Sequence, residues 1–214
     1  LPEDRMDTLV QQTASDAFPI RLVPALEAIN NSAEDVIPRM PGLIARAHDK
    51  LRFGMVKLMT DGSIQGYTSR MLWPGHLHGE PNGIWNNPPE QIAAKVKALH
   101  AAGIQMHIHT NGDEASEMVM DALEAAIIAH PRPDHRHTLQ HCQMAGEAQF
   151  RRMAAMGVGV NLFANHLWYF GDQHFEKTMG PDRACRIDAC RSALDFGVPL
   201  TVHCDAPVTP MNPL

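Results

Sequence analysis

Four short apolar runs of this sequence end on a side chain that can bind a metal ion or carry a proton. These ends are Lys57, His109, His141 and Asp205. Two neutral imidazoles and a carboxylate that meet at one place make a suitable Zn²⁺ site. We therefore predict that the four residues form one metal site. For either histidine alone, a bond to a backbone carbonyl inside the core stays an open alternative.

Lys57 is the least expected of the four, because lysine is rarely buried without a partner. One interpretation is an ion pair with Asp205 or Asp61. The other is that CO₂ carboxylates the ε-amino group, which then becomes an anionic oxygen ligand able to bridge two metal ions. The sequence leaves both open.

Asp205 is a candidate for two roles, metal ligand and catalytic base that takes a proton from metal-activated water. It follows the strand-like run Thr201–Cys204, and Pro207 comes two residues later. This position also suits a helix N-cap, which is the alternative.

Three residues are predicted to support the ligands. His107 and His203 lie two residues before His109 and Asp205, so strand alternation directs them to the same side, one layer deeper. Metal ligands are commonly oriented from behind by such groups. We therefore expect His107, His203 and Asp61 to form a second shell, with direct ligation by the two histidines as the less favoured alternative.

Two polar and aromatic segments, residues 60–89 and 163–174, contain candidate substrate contacts. The first contains His76 and His78, and the second contains Trp168 and Tyr169. A pocket wall built from such side chains is plausible. Plain exposure or loop packing would explain the same residues.

The elements that must position these residues alternate between strand and helix. Apolar runs predict strands at 18–23, 53–59, 104–109, 136–140, 158–162 and 199–204. Helical spacing and capping residues predict helices at 3–16, 33–50, 88–102, 113–130, 146–156 and 181–196. This alternation is typical of a parallel sheet with helical crossovers.

A single α/β domain over residues 1–214 is expected, and a barrel fits better than an open doubly wound sheet. The chemically useful residues follow several different strands, which is where barrels place active sites. An eight-stranded barrel needs about 250 residues, and only six strands are predicted. We therefore expect an incomplete TIM-like (β/α)8 barrel whose first two strands are missing. Both chain ends look cut, as in a piece of a longer chain.

Composition excludes several classes of protein. The net charge of −6 without a basic run argues against a nucleic-acid partner. The sequence gives no polybasic or amphipathic membrane signal and has no apolar run of 18 residues, so no membrane partner is expected. The four cysteines lack CxxC spacing, which favours free thiols and a cytoplasmic location. The expected partner is a small-molecule substrate, and open sheet edges would favour a homo-oligomer.

Four stretches of this chain resemble motifs of the amidohydrolase superfamily, in the amidohydrolase-3 (YtcJ-like) branch that includes N-substituted formamide deformylases. The stretch 57–63, KLMTDGS, resembles K-x-x-x-D-G-S, and 109–113, HTNGD, is similar to H-A-I-G-D. The stretch 137–143, HTLQHCQ, resembles R-I-E-H-x-Q, and Asp205-Ala206-Pro207 resembles S-D-x-P.

The resemblance implies a TIM-like barrel with zinc at the strand ends. Lys57, which can be carboxylated, would lie on barrel strand 4, His109 on strand 5 and His141 on strand 6. Asp205 would be ligand and general base on strand 8. The implied reaction is hydrolysis of a C–N bond, in an amide or a cyclic amide or amidine. Ring deamination uses the same machinery, and one or two metal ions would fit.

Departures from the motifs indicate barrel strands 3 to 8 of an unusual subgroup. The H-x-H of strand 1 and the β-sandwich domain of the family have no counterpart here. His203-Cys204 stands where the family has Gly-Ser, and Thr110-Asn111 where it has Ala-Ile. The alternative function is a truncated, inactive barrel fragment that needs the missing strands or self-association.

Overall fold

The computed structural model describes residues 3–211, with side chains from residue 5 onward. Its centre is a six-stranded sheet in which every neighbouring pair is parallel and the spatial order follows the sequence. The strands are β1 Ala25–Glu27, β2 Met55–Met59, β3 Gln105–Thr110, β4 Thr138–His141, β5 Gly159–Leu162 and β6 Leu200–Val202. The predicted α/β class is confirmed.

The helices lie mainly between the strands. They are α1 Glu3–Ala14, α2 Ala33–Val36, α3 Met40–Ile44, α4 Pro89–Ala101, α5 Asp113–Ala129, α6 Glu147–Met156, α7 Asn165–Gln173, α8 Pro181–Ala184 and α9 Cys190–Asp195. None of the helices described is both long and apolar enough to cross a membrane.

The two faces of the sheet differ in chemistry because successive side chains of a strand point to opposite sides. One face packs on the helices and forms the main core, with Val56, Met106, Ile108 and Leu139 among its fully buried members. Alternation and register place polar residues on the other face: Glu27, Lys57, His107, His109, Gln140, Asn161 and Thr201. We call this the polar face. The candidate ligands of β2 and β3 lie on it.

The strand predicted at 18–23 is wrong. Its only pairing is one isolated bridge between Leu22 and Leu51, and β1 lies at 25–27 instead. Pro19 lies near the start of the run and Pro24 directly follows it, and proline cannot donate to a strand ladder. Ile20 is exposed, so the apolar composition of this run does not indicate burial.

Two helix predictions were too long. The one for 33–50 is replaced by α2, a 3₁₀ turn at Ile37–Arg39 and α3, because Pro38 and Pro41 each start a new short helix. The one for 181–196 is split into α8 and α9, with Asp188 in a left-handed conformation between them. Conversely, the segment predicted as a loop at 163–174 contains α7, which continues into a π-helical turn at His174–Thr178.

The long segment 60–88 lacks helix and strand, as predicted, yet it is fixed to the amino end of α5. The backbone N–H of Leu72 donates to Asp113 Oδ1 at 2.8 Å, and Arg183 forms an ion pair with Asp113 at 2.7 Å. A side chain at Gly112 would overlap the carbonyl of Arg70. Glycine is therefore required where this segment crosses the end of β3.

Candidate metal centre

The four predicted ligands lie toward the carboxyl ends of four different strands. Lys57 and His109 are inside β2 and β3, His141 is the last residue of β4, and Asp205 follows β6 by three residues. Parallel strands bring these ends to one edge of the sheet. The ring centroids of His109 and His141 are 4.6 Å apart.

The carbonyl oxygen of Gly62 favours one tautomer of His109, although Asn111 Nδ2 also lies 3.2 Å from the same ring nitrogen. Its Nε2 lies 3.1 Å from the carbonyl oxygen of Gly62, which also accepts a hydrogen bond from Asn111 Nδ2 at 2.6 Å. A ring that donates through Nε2 keeps its free lone pair on Nδ1. Burial and the charge of Lys57 lower the pKa of His109 to about 4. The ring is therefore neutral, as a metal ligand must be.

His141 is also buried and neutral. Burial, reinforced by the neighbouring His109, lowers its pKa well below the ordinary value. Its Nδ1 lies 2.9 Å from Nε2 of His203. One ring nitrogen of His141, one of His203 and a carboxylate oxygen of Asp205 all lie within 4.8 Å of one another. We call these three residues the ligand cluster.

The backbone of the ligand cluster is in an uncommon conformation. His141, Cys142 and Asp205 have φ values of +69°, +47° and +51°. Each is a non-glycine residue in the left-handed region, which costs on the order of 1–3 kcal/mol. Such conformations concentrate at functional sites, where the surrounding fold holds a side chain in a required direction. Two of the four predicted ligands are held in this way.

Lys57 is half-buried on the polar face, and its Nζ donates a hydrogen bond to Gln140 Oε1. Within residues 5–211, no carboxylate lies at ion-pair distance from this amine, so the ion pair considered with Asp205 or Asp61 does not form. Burial lowers the pKa of Lys57 to about 8, although the charge of Asp205 acts in the opposite direction. A share of the amine is thus uncharged near neutral pH, the form that reacts with CO₂.

Asp61 links the ends of β2 and β3. Its buried carboxylate accepts hydrogen bonds from the backbone N–H groups of Arg70, Asn111 and Gly112 at 2.9–3.0 Å. Burial raises its pKa to about 6, although these bonds oppose the shift. Its Oδ1 lies 3.6 Å from His109 Nε2. Asp61 thus occupies the place that a supporting residue would need, and the role stays a prediction.

The two predicted supporting histidines differ. His107 is half-buried in register with Lys57, and burial, with the charge of Lys57, lowers its pKa to about 4. His203 instead belongs to the ligand cluster and contacts His141 directly. The second-shell role of both stays a prediction, but the structure separates them by position.

The four predicted substrate contacts are not joined to the ligands by any hydrogen bond or ring contact within residues 5–211. His76 is buried edge-on against Tyr67, with ring centroids 5.3 Å apart, whereas His78 is exposed. Trp168 and Tyr169 are exposed on α7. Their role in binding stays a prediction.

Two residues of the site were missed by sequence reasoning. Gln140 is the partner of Lys57, and Phe163 stacks on the ring of His203 with centroids 5.1 Å apart. Alternation could have placed Gln140 on the face opposite Leu139. Its meeting with Lys57, 83 residues away, depends on a strand register that the sequence does not reveal.

The model of the amidohydrolase family matches residues 2–214 of this chain. The chain belongs to the amidohydrolase family. YtcJ of Bacillus subtilis (strain 168) is 26% identical over 165 residues, which make up 77% of this chain and 30% of YtcJ. The N-substituted formamide deformylase of Arthrobacter pascens is 28% identical over 166 residues, 76% of this chain and 30% of the deformylase. The chain thus spans about a third of these relatives' length.

Solved structures show the same fold. An uncharacterized metal-dependent hydrolase from Pyrococcus furiosus superposes with a TM-score of 0.77, over 98% of this chain and 42% of that one. Sequence identity is 17%, so the likeness concerns the fold alone. The six-stranded parallel α/β fold is similar to that of amidohydrolase barrels.

Proposed function

We propose that this amidohydrolase-family chain is a metal-dependent hydrolase that cleaves a C–N bond in an amide, cyclic amide or amidine. The ligand cluster, at the carboxyl ends of the strands with His109 and Lys57 beside it, carries the proposal. The name of the Arthrobacter pascens relative supports N-substituted formamides as the first substrate class to examine. Ring deamination is the competing reaction within the same chemistry.

The residues present fit a zinc ion. Neutral imidazoles with a carboxylate are ligands that zinc favours, and burial holds both His109 and His141 neutral. Lys57, His109, His141 and Asp205 would hold the metal. Carboxylation of Lys57 would add an anionic oxygen and permit a second ion.

The roles of the chain's own residues follow from their positions. A bound divalent ion supplies a lowered pKa for water and polarisation of a carbonyl group. Asp205 accepts the proton of the attacking water, since its half-exposed carboxylate can reach both solvent and substrate. Asp61 and Asn111 hold His109 in one tautomer through the Gly62 and backbone contacts. His78, Trp168 and Tyr169 are exposed to contact substrate, whereas His76 is buried against Tyr67.

The compartment and the partner follow from weaker observations. All four cysteines are free thiols, which supports a reducing compartment such as the cytoplasm. A small molecule is the proposed partner.

A second candidate function has its own support. Within residues 3–211, β1 and β6 each pair on one side only, and sheet edges of this kind favour association. The chain would then be an inactive fragment that gains activity from further strands or from a second copy. Light scattering separates the two: a monomer that turns over substrate rejects this candidate.

The test of the first proposal is turnover of N-substituted formamides and cyclic amides by zinc-loaded protein. Activity should disappear with a chelator, return with zinc and be lost in Asp205→Asn. The exposed Asp16→Asn provides a matched control because the same chemical change falls far from the strand ends. Chelator-resistant turnover, or full activity of Asp205→Asn, would contradict the proposal.

A further inference from the structure

The ring of His203 is incompletely satisfied. Its Nδ1 is shielded from solvent and forms no hydrogen bond of ordinary geometry within the described residues, although the backbone of Asn161 and Leu162 lies near the ring. Its Nε2 faces His141 Nδ1 at 2.9 Å. A buried nitrogen without a partner is costly.

The distance between His203 and His141 is close to that of two ligands on one ion. With zinc–nitrogen bonds of about 2.0–2.1 Å in a tetrahedral site, two ligating nitrogens are roughly 3.3 Å apart. The facing nitrogens need to separate by only a few tenths of an ångström from their present 2.9 Å. Both rings would also have to turn so that their lone pairs point at one position, and the proton between them would leave to solvent.

The surroundings orient the His203 ring toward the cluster. Phe163 stacks on it with an interplanar angle of 24°, and the His203 N–H donates to the carbonyl of Leu162 at 3.0 Å, continuing the β5–β6 ladder. Asp205, two residues later, completes the group within 4.8 Å. These three side chains come from β4 and the end of β6 alone.

We propose that His203 is a direct metal ligand, which completes with His141 and Asp205 a zinc site contained within this chain. This inference rests on the proposed function and adds to it. His203 stands where the resembling motif has glycine, so the ligand set would be particular to this chain. Lys57 and His109 then serve a second position or assist the first.

Alanine substitution of His203 does not decide the question, because loss of a supporting residue also weakens metal binding by about 10–100-fold. A spectroscopic signature is needed to distinguish a metal ligand from a supporting residue. The decisive variant is His203→Cys in a Cys204→Ser background, loaded with Co²⁺. A thiolate bound to cobalt gives a sulfur-to-metal charge-transfer band, whereas a thiolate outside the coordination sphere does not. His107→Cys in the same background is the matched control, since His107 is another half-buried histidine of the polar face.

We expect one Co²⁺ per chain in the Cys204→Ser parent and a charge-transfer band only after His203→Cys. Circular dichroism confirms that each variant is folded. Bound cobalt without a band in folded His203→Cys, or an equal band in His107→Cys, would overturn the inference and leave the proposed function standing on His109 and His141. A folded parent that binds no Co²⁺ would overturn both.

Discussion

Two groups of buried histidines lie at opposite ends of the sheet. The first is the ligand cluster with His109, at the carboxyl ends of the strands. The second consists of His100, His135 and His137, near the amino ends of β3 and β4; we call it the structural cluster. Burial lowers the pKa of His137 to about 2 and that of His109 to about 4. His137 and His109 are thus alike in residue type, burial and charge state.

The two groups differ in how their ring nitrogens are used. His137 Nδ1 accepts the N–H of Met106 at 3.2 Å, and its Nε2 lies 2.8 Å from His100 Nδ1. The other nitrogen of His100 donates to the carbonyl of His130, and both nitrogens of His135 are likewise bonded. The structural cluster therefore has no lone pair left for a metal, whereas the ligand cluster has an unpaired nitrogen and a carboxylate. Histidine abundance alone indicates neither role.

The largest expected effect is a loss of turnover when the candidate metal centre is changed. Asp205→Asn removes the proposed base and a charged ligand, so turnover should fall by about 10³-fold or more, which corresponds to roughly 4 kcal/mol. Steady-state kinetics on zinc-loaded protein measure this. His137→Gln, at the other end of the sheet, should keep near-normal turnover in its folded fraction.

The second-largest effect is on stability and comes from the structural cluster. His137→Ala leaves the Met106 N–H without an acceptor in the core and opens a cavity, so the free energy of unfolding should fall by about 2–4 kcal/mol. Urea denaturation of metal-free protein measures it. His107→Ala is the control and should cost much less, because this half-buried ring makes no side-chain hydrogen bond among the described residues. Equal losses would contradict the assignment of the structural cluster.

Zinc should stabilise the fold only through the ligand cluster. At a free concentration of 100 times Kd, a ligand of the folded state adds about 2.7 kcal/mol to the free energy of unfolding. We expect this gain in wild type and in His137→Gln, and little of it in His141→Ala. Thermal denaturation with and without zinc measures it. Equal gains in all three proteins would place the ion elsewhere.

The smallest effect is a pH dependence of stability from the structural cluster. Burial lowers the folded pKa of His100 and that of His137 below the unfolded value of about 6.5, so protons bind the unfolded chain preferentially. Stability is therefore complete above about pH 6.5 and is lost as the pH falls toward about 2. Each such histidine contributes up to about 1.4 kcal/mol per pH unit. His137→Gln should reduce the slope between pH 6 and 5 by about one proton; an unchanged slope would contradict this.

Sequence reasoning correctly predicted the strongly periodic parts of the fold. It placed β3 and α5 within a residue or two, because long runs with one period leave little choice. Lys57, His109 and His141 were predicted as ligands because polar side chains that end apolar runs are conspicuous. The structure places them on β2, β3 and β4, and their role as ligands stays a prediction.

Other features depend on contacts between distant parts of the chain. The Lys57–Gln140 hydrogen bond needs the register across three strands. The left-handed backbone of His141 and Asp205 is imposed by tertiary structure against local preference. The two histidine clusters look alike in the sequence because only hydrogen-bond partners distinguish them.

The most direct test is the zinc content of purified protein measured by elemental analysis. Wild type and His137→Gln should each hold at least one zinc ion per folded chain, whereas His141→Ala should hold much less than one. Zinc retained in His141→Ala, or lost equally in both variants, would contradict the assignment of the metal site to the carboxyl ends of the strands.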